Sequence, residues 1–327
     1  MRNFINFIDI NNFKSIRHCK IDDCERINLF IGRPNVGKSN ILEALSLFTL
    51  PYLRENTSKK LSNLIRVEHE SEIFYNGETG RECSITTSIG KCELDYHSKE
   101  GLQINVDFFS DNYFLKVDAN LNVKNNSRHD FFEPPVKRFV YKSDVKYKKS
   151  HAKYLIPPFG SNLLPIIENY QDLKQQVTSF FKDYHLEIAF DKASQTIKII
   201  QYKDGEIFLI PYNSIADTLQ RIIFYKAAIA SNNDSILLFE EPEAHSFPPY
   251  MTHLTQEMIY KKDNQFFVAT HSPFILNDLL ENAMDELAVF IVDYKDNATV
   301  VKRMSKKELH EVLQNGIDLF TNNESFI

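Results

Sequence analysis

The chain has 327 residues, 43% of them hydrophobic, enough for a large core in one domain or in one domain with a sizeable insertion. A net charge of −6 excludes a wholesale nucleic-acid coat but leaves room for a local basic patch. Cys19, Cys24, Cys83 and Cys92 form no C-x-x-C pair, so neither zinc nor a redox motif is expected.

Residues 4–10 alternate apolar and polar, as a half-buried strand does; Asn11 and Asn12 supply a turn, and 13–21 read as a second strand. The N-terminus lacks the apolar run of a signal peptide. No stretch of about 18 apolar residues could span a membrane, so a cytoplasmic protein is expected. Residues 26–31 (Arg-Ile-Asn-Leu-Phe-Ile) form a short buried strand, and 39–50 a helix with Ile41, Leu42, Leu45 and Phe48 on one face, ended by Pro51. Between them, Gly32 to Ser39 reads Gly-Arg-Pro-Asn-Val-Gly-Lys-Ser, a full G-x-x-x-x-G-K-S phosphate-binding loop in the right context. Gly32 and Gly37 let backbone N–H groups converge on phosphate oxygens, and the helix N-terminus adds positive potential. Lys38 is expected on the β- and γ-phosphates and the Ser39 hydroxyl on Mg²⁺, with Asn35, Val36 and Asn40 completing the nucleotide contacts.

Residues 54–63 look like a linker. From 65 to 123 the chain reads as short strands punctuated by Gly77, Gly80, Gly90 and Gly101. Residues 163–184 are helical by periodicity, and three meander strands follow at 186–190, 196–202 and 207–211, with Asp204-Gly205 as a tight turn. An amphipathic helix at 215–230 opens an alternating strand and helix pattern that implies a largely parallel sheet, closed by a helix at 305–314 with a Ser305/Glu308 capping box. The expected fold is thus α/β, with a mostly parallel sheet flanked by helices, an N-terminal antiparallel strand pair and a mixed α+β insertion. The expected units are 1–60, 61–205 and 206–327. Phe131, Phe132, Phe180 and Phe181 are expected in the core.

The strand at 236–239 ends in Glu240 and Glu241. Beside a P-loop strand the first acid helps hold Mg²⁺ and the second can activate water. His271 stands where the next strand ends, on the rim where α/β sheets bind ligands, and is expected to contact the γ-phosphate. Lys137, Arg138, Lys142, Lys146, Lys148, Lys149 and Lys153 face one acid, Asp144, and are interleaved with Phe139, Tyr141 and Tyr147. That pattern suits a phosphate backbone and base stacking. The alternative, a solvated face or loop, stands beside it.

Jointly, Asn12-Phe13-Lys14-Ser15-Ile16, the P-loop, Leu238-Phe239-Glu240-Glu241-Pro242-Glu243-Ala244-His245 and Ala269-Thr270-His271-Ser272-Pro273 resemble ABC-type ATPase heads of the RecF/SMC-like group. Within it, the small ATPases grouped with the overcoming-lysogenisation-defect proteins and other phage-defence ATPases are the nearest in pattern. The resemblance implies ATP and Mg²⁺ as cofactors, slow or efficient ATP hydrolysis, and a head-to-tail homodimer around two ATP molecules. In it, Glu241 polarises water and His271 holds the γ-phosphate. It places a signature segment at 213–221, with Ser214 reaching ATP across the dimer. Ala216 and Thr218 replace the expected glycines, and Glu240 the usual aspartate. Gln103 is the candidate for the family's Q-loop glutamine. An ATP-driven switch in phage defence or toxin–antitoxin control with a separate effector is the leading expectation. RecF-like DNA repair or a nucleotide-sensing scaffold are the alternatives.

Overall fold

The computed structural model describes residues 4–108, 111–127, 132–182, 184–246 and 248–321. Strand β1 (Ile8–Phe13) buries Ile8, Ile10 and Phe13, and β2 (Ile16–Ile21) buries Ile16, Cys19 and Ile21. They pair antiparallel, with Phe13 opposite Ile16. The turn therefore falls at Lys14-Ser15, a few residues beyond the asparagines, with Lys14 at φ 49°. Strand β3 (Ile27–Ile31) leads through the P-loop into helix α1 (Lys38–Ser46). Pro51 does not end that helix. It gives way at Ser46, whose hydroxyl bonds Glu43 O and Leu64 O, and the chain continues as a 3₁₀ helix (Leu47–Glu55) through Pro51. The expected linker is packed: Asn56 is buried and donates to Tyr52 O and Pro157 O.

Of the strands expected in the middle of the chain, four appear as β4 (Cys83–Thr87), β5 (Gly90–His97), β6 (Gly101–Phe108) and β7 (Asp111–Val117). The stretch from 65 to 82 holds 3₁₀ turns (Glu70–Ile73, Tyr75–Gly77) instead, and a short strand the sequence did not suggest, β8 (Val123–Asn125), follows β7. Strands β4 to β8 join the N-terminal pair in one antiparallel sheet of order β2-β1-β4-β5-β6-β7-β8. Segments 1–60 and 61–205 thus share a sheet. Strand β9 (Val136–Phe139) lies inside the basic stretch. Residues 163–184 form two helices, α2 (Leu163–Asn169) and α3 (Gln171–Lys182). They break at extended Tyr170, whose hydroxyl donates to Lys153 O. The meander appears as β10 (Glu187–Asp191), β11 (Thr196–Lys203) and β12 (Glu206–Pro211), with Asp204 and Gly205 both at positive φ as a type I′ turn needs.

Helix α4 (Asp217–Ser231), β13 (Ile236–Glu240), α5 (Pro248–Tyr260), β14 (Gln265–Ala269), α6 (Pro273–Ala283), β15 (Leu287–Lys295), β16 (Ala298–Arg303) and α7 (Lys306–Asn315) follow. The Ser305/Glu308 capping box is present. The second sheet runs β16-β15-β3-β14-β13-β9, parallel except for β16. Its inner strands β15, β3, β14 and β13 are mostly apolar because both faces are covered. Phe30, Leu238 and Phe290 point to the core under the antiparallel sheet and α1, while Leu29, Leu237 and Val268 point to the core under α2 to α6. Phe180 and Phe181 lie in the second core; Phe132 is 38% exposed, and Phe131 lies outside the described residues. The thiols are unpaired, and burial pushes Cys19 up to about 12. Among the described residues no helix is long and apolar enough to cross a membrane.

Candidate nucleotide site

The P-loop connects β3 to α1 at the carboxyl edge of the parallel sheet, where open α/β sheets take ligands. Its shape depends on two close approaches. A Cβ on Gly32 would stand 2.2 Å from Val292 O, and one on Gly37 would stand 2.1 Å from Thr299 Oγ1. Both glycines, and Asn35, also have positive φ. Lys38 is buried and folds its ammonium back onto the loop, donating to Gly32 O at 2.9 Å and Arg33 O at 2.7 Å. Burial pushes it down to about 8, against the pull of Glu241 and Glu240.

Ser39 hydrogen-bonds the Glu240 carboxylate. Burial by itself would raise Glu240, but Arg138, the Ser39 hydroxyl, Arg66 and Lys14 together hold it below the ordinary carboxylate range. Glu241 follows at φ 41°, in the left-handed region, with its N–H on Ala269 O at 2.8 Å. That turn brings its carboxylate to 3.7 Å from His271 Nε2. Burial and Lys38 lower the His271 pKa against the pull of Glu241, so the imidazole is neutral at neutral pH. The His271 loop is held by Glu243, which accepts from Thr270 Oγ1 at 2.6 Å and from the His271 N–H at 2.9 Å.

A hydroxyl and a carboxylate side by side at the start of a P-loop helix are hard oxygen donors of the kind Mg²⁺ takes, so Ser39 and Glu240 fit that ion. Among the described residues no group of three or more His, Cys, Asp or Glu could hold a metal. An ion here therefore completes its shell with phosphate and water oxygens.

The sequence reading missed the cations around Glu240. Arg138 is buried in β9 and pairs directly with it; Arg66 lies 3.2 Å away. Arg66 also bonds Glu43, 2.7 Å away, and Lys14 pairs with the same carboxylate. Glu43 is fully buried in α1. A buried carboxylate needs partners. The available signal was a glutamate inside the apolar run Ile-Leu-Glu-Ala-Leu. Gln103 donates to Glu100 in the antiparallel sheet, away from the P-loop.

The basic segment is corrected in part. Lys137 is 1% exposed, donates to Asn232 Oδ1, pairs with Glu133 and lies over the Tyr154 ring. Arg138 is committed to Glu240, and Phe139 is buried. Tyr141 and Tyr147 pack against the second core. Lys148 donates to Glu55 O. Lys142, Lys146, Lys149 and Lys153 remain exposed, Lys142 over the Phe159 ring.

Ser214 is exposed in a short 3₁₀ turn (Tyr212–Ser214) just before α4. Thr218, in the first turn of α4, donates to His245 O at 2.5 Å. Ala216 and Thr218 line an apolar cavity of about 410 Å³ with Phe181, Leu186 and Tyr250. Glycine would supply neither the bond nor the lining.

The model of the AAA domain family described as putative AbiEii toxin, type IV toxin–antitoxin system, matches residues 27–277. The chain belongs to this AAA family. It is 28% identical over 195 residues to an uncharacterized protein of Methanocaldococcus jannaschii, covering 59% of this chain and 80% of the relative. It is 31% identical over 96 residues to an ATP/GTP phosphatase of Helicobacter pylori, 26% of this chain and 25% of that protein. It is 33% identical over 67 residues to the DNA replication and repair protein RecF of Caldanaerobacter subterraneus subsp. tengcongensis, 20% and 18% of the two chains. The chain thus spans most of the archaeal relative but a quarter or less of the other two. The solved SMC head bound to the C-winged helix domain of ScpA superposes with a TM-score of 0.52 at 14% identity, covering 94% of this AAA protein and 99% of that chain. The fold is therefore that of an ABC-type ATPase head of the RecF/SMC group, with an antiparallel sheet laid against the parallel one.

Proposed function

We propose that this AAA protein binds and hydrolyses ATP as a dimerisation switch in the cytoplasm. Two copies close head to tail around two ATP molecules, and a separate effector reads the closed state in phage defence or toxin–antitoxin control. The observation that carries the reading is the convergence on one rim of Lys38, Ser39, Glu240, Glu241 and His271, from three separate stretches of chain. Lys38 leaves its carbonyl partners to meet phosphate oxygens. Ser39 and Glu240 hold Mg²⁺, which when bound neutralises phosphate charge. Glu241, half exposed, orients the attacking water and takes its proton. His271, neutral, donates a hydrogen bond to the γ-phosphate. Ser214, exposed ahead of α4, serves the partner copy's ATP.

A second reading, a nucleotide-sensing scaffold that turns over slowly, draws on Glu240 being shared between Arg138 and Arg66. A third, DNA maintenance in the RecF manner, draws on exposed Lys142, Lys146, Lys149 and Lys153. Glu241→Gln separates the first from the second. Under the switch reading the variant binds ATP, loses phosphate release by about 100-fold and accumulates as an ATP-dependent dimer by light scattering. Hydrolysis at the wild-type rate would remove Glu241 as the base. Wild-type turnover near zero, with normal ATP binding, would favour the scaffold.

A further inference from the structure

We infer that Ser15 and Thr299 are positioning residues for the nucleotide: a one-way chain of hydrogen bonds through their hydroxyls aims the Gly37 N–H into the phosphate hollow. This deepens the ATP reading and rests on it. Ser15 sits in the β1–β2 turn, Asn40 in α1 and Thr299 in β16, three places far apart in the sequence. Thr299 Oγ1 donates to Val36 O at 2.9 Å, Ser15 Oγ and Thr299 Oγ1 are 2.7 Å apart, and Asn40 Nδ2 donates to Ser15 Oγ at 2.6 Å.

The directions follow from counting protons. Val36 O can only accept, so Thr299 spends its one hydroxyl proton there. Ser15 must then donate to Thr299, and its oxygen is left to accept from Asn40. The chain runs Asn40 to Ser15 to Thr299 to Val36, with no freedom at either hydroxyl. The Thr299 N–H, on Ser15 O at 2.9 Å, fixes the hairpin against the turn, and Thr299 is 1% exposed, so water does not compete.

The Val36–Gly37 peptide is trans, so its C=O and N–H point in opposite directions. Pinning the carbonyl toward β16 turns the Gly37 N–H away from β16 and into the hollow of the loop. Gly37 is required at the same spot because any side chain would strike Thr299 Oγ1. The Asn-Phe-Lys-Ser motif and the C-terminal hairpin thereby acquire a task at the phosphates that neither performs by touching them.

The test is nucleotide affinity of Thr299→Val and Thr299→Ser, measured by calorimetry with ATP and with ADP well below the unfolding temperature. Backbone N–H groups of the loop serve the phosphates common to both nucleotides. Thr299→Val should therefore weaken ATP and ADP by the same factor, about tenfold, the loss of one aligned hydrogen bond. Thr299→Ser, which keeps the hydroxyl, should restore both. Ser15→Ala leaves the bond to Val36 in place and should cost less, about threefold. It also tests the chain if Thr299→Val does not fold. Wild-type affinity in Thr299→Val, or a Thr299→Ser as weak as the valine variant, would overturn the inference. Failure of the wild type to bind ATP would overturn the ATP reading instead.

Discussion

The P-loop corner and the α4 corner are built on opposite plans. At the P-loop, the frame of the motif is set inside one chain, and only the Lys38 ammonium has to change partners. Gly37 is wedged against Thr299, Lys38 is buried, and Ser39 is already on Glu240. At α4, Ser214 is exposed, and the side chains that replace glycine are spent on the chain's own structure, Thr218 on His245 O and Ala216 on an apolar cavity. Under the proposed switch, the difference assigns nucleotide capture to the single subunit and closure to a surface that a partner copy would complete. Preorganised sites bind without an ordering cost; unfinished ones are where regulation enters.

The largest effect expected on this contrast is at Lys38. Lys38→Ala removes the charge facing the phosphates and should weaken ATP by about 100-fold or more, the scale of a charge-assisted bond in a buried site; titration with labelled ATP reads it. A smaller effect comes from pH. The free subunit releases the Lys38 proton near pH 8, and ATP prefers the charged form, so affinity should be full below about 8 and fall as pH rises through that value. Lys38→Arg should abolish the decline. The same shift makes the free fold gain stability between pH 8 and 10.5, because there the unfolded chain holds the proton that the folded chain has lost. A flat affinity across this range would detach Lys38 from the phosphates. The smallest effect on ATP affinity is expected at the other corner. Ser214→Arg should leave binding to the single subunit within about twofold, as a surface change does, yet remove the ATP-dependent gain in molecular mass. A variant that still dimerises with ATP would place the partner contact elsewhere.

The P-loop, the Glu240-Glu241 strand end and His271 were legible in the sequence because each sits at a strand end in a fixed local pattern. The meander and the capped last helix were legible for the same reason. What was not legible is long-range pairing. Val-Lys-Arg-Phe at 136–139 reads as part of a basic surface, because nothing local shows that Lys137 will find Glu133 and Asn232, or that Arg138 will find Glu240 across the sheet. Glu43 was passed over although a carboxylate in an apolar helix face announces a buried partner. The strands at 83–117 were visible as strands, but their union with β1 and β2 was not, since Ile8 meets Thr87 only through the fold.

Strand β3 has consequences for how the protein is made. It hydrogen-bonds only β14 and β15 within its sheet, strands more than 230 residues downstream. Until those strands have been made, the P-loop strand has no partner in its sheet, and the hydroxyl at 299 that orients its loop comes later in the chain than both. Contacts of such sequence separation make folding slow and late. A nascent chain therefore carries a complete P-loop motif without its supporting sheet until β14 and β15 have been made and have paired with β3.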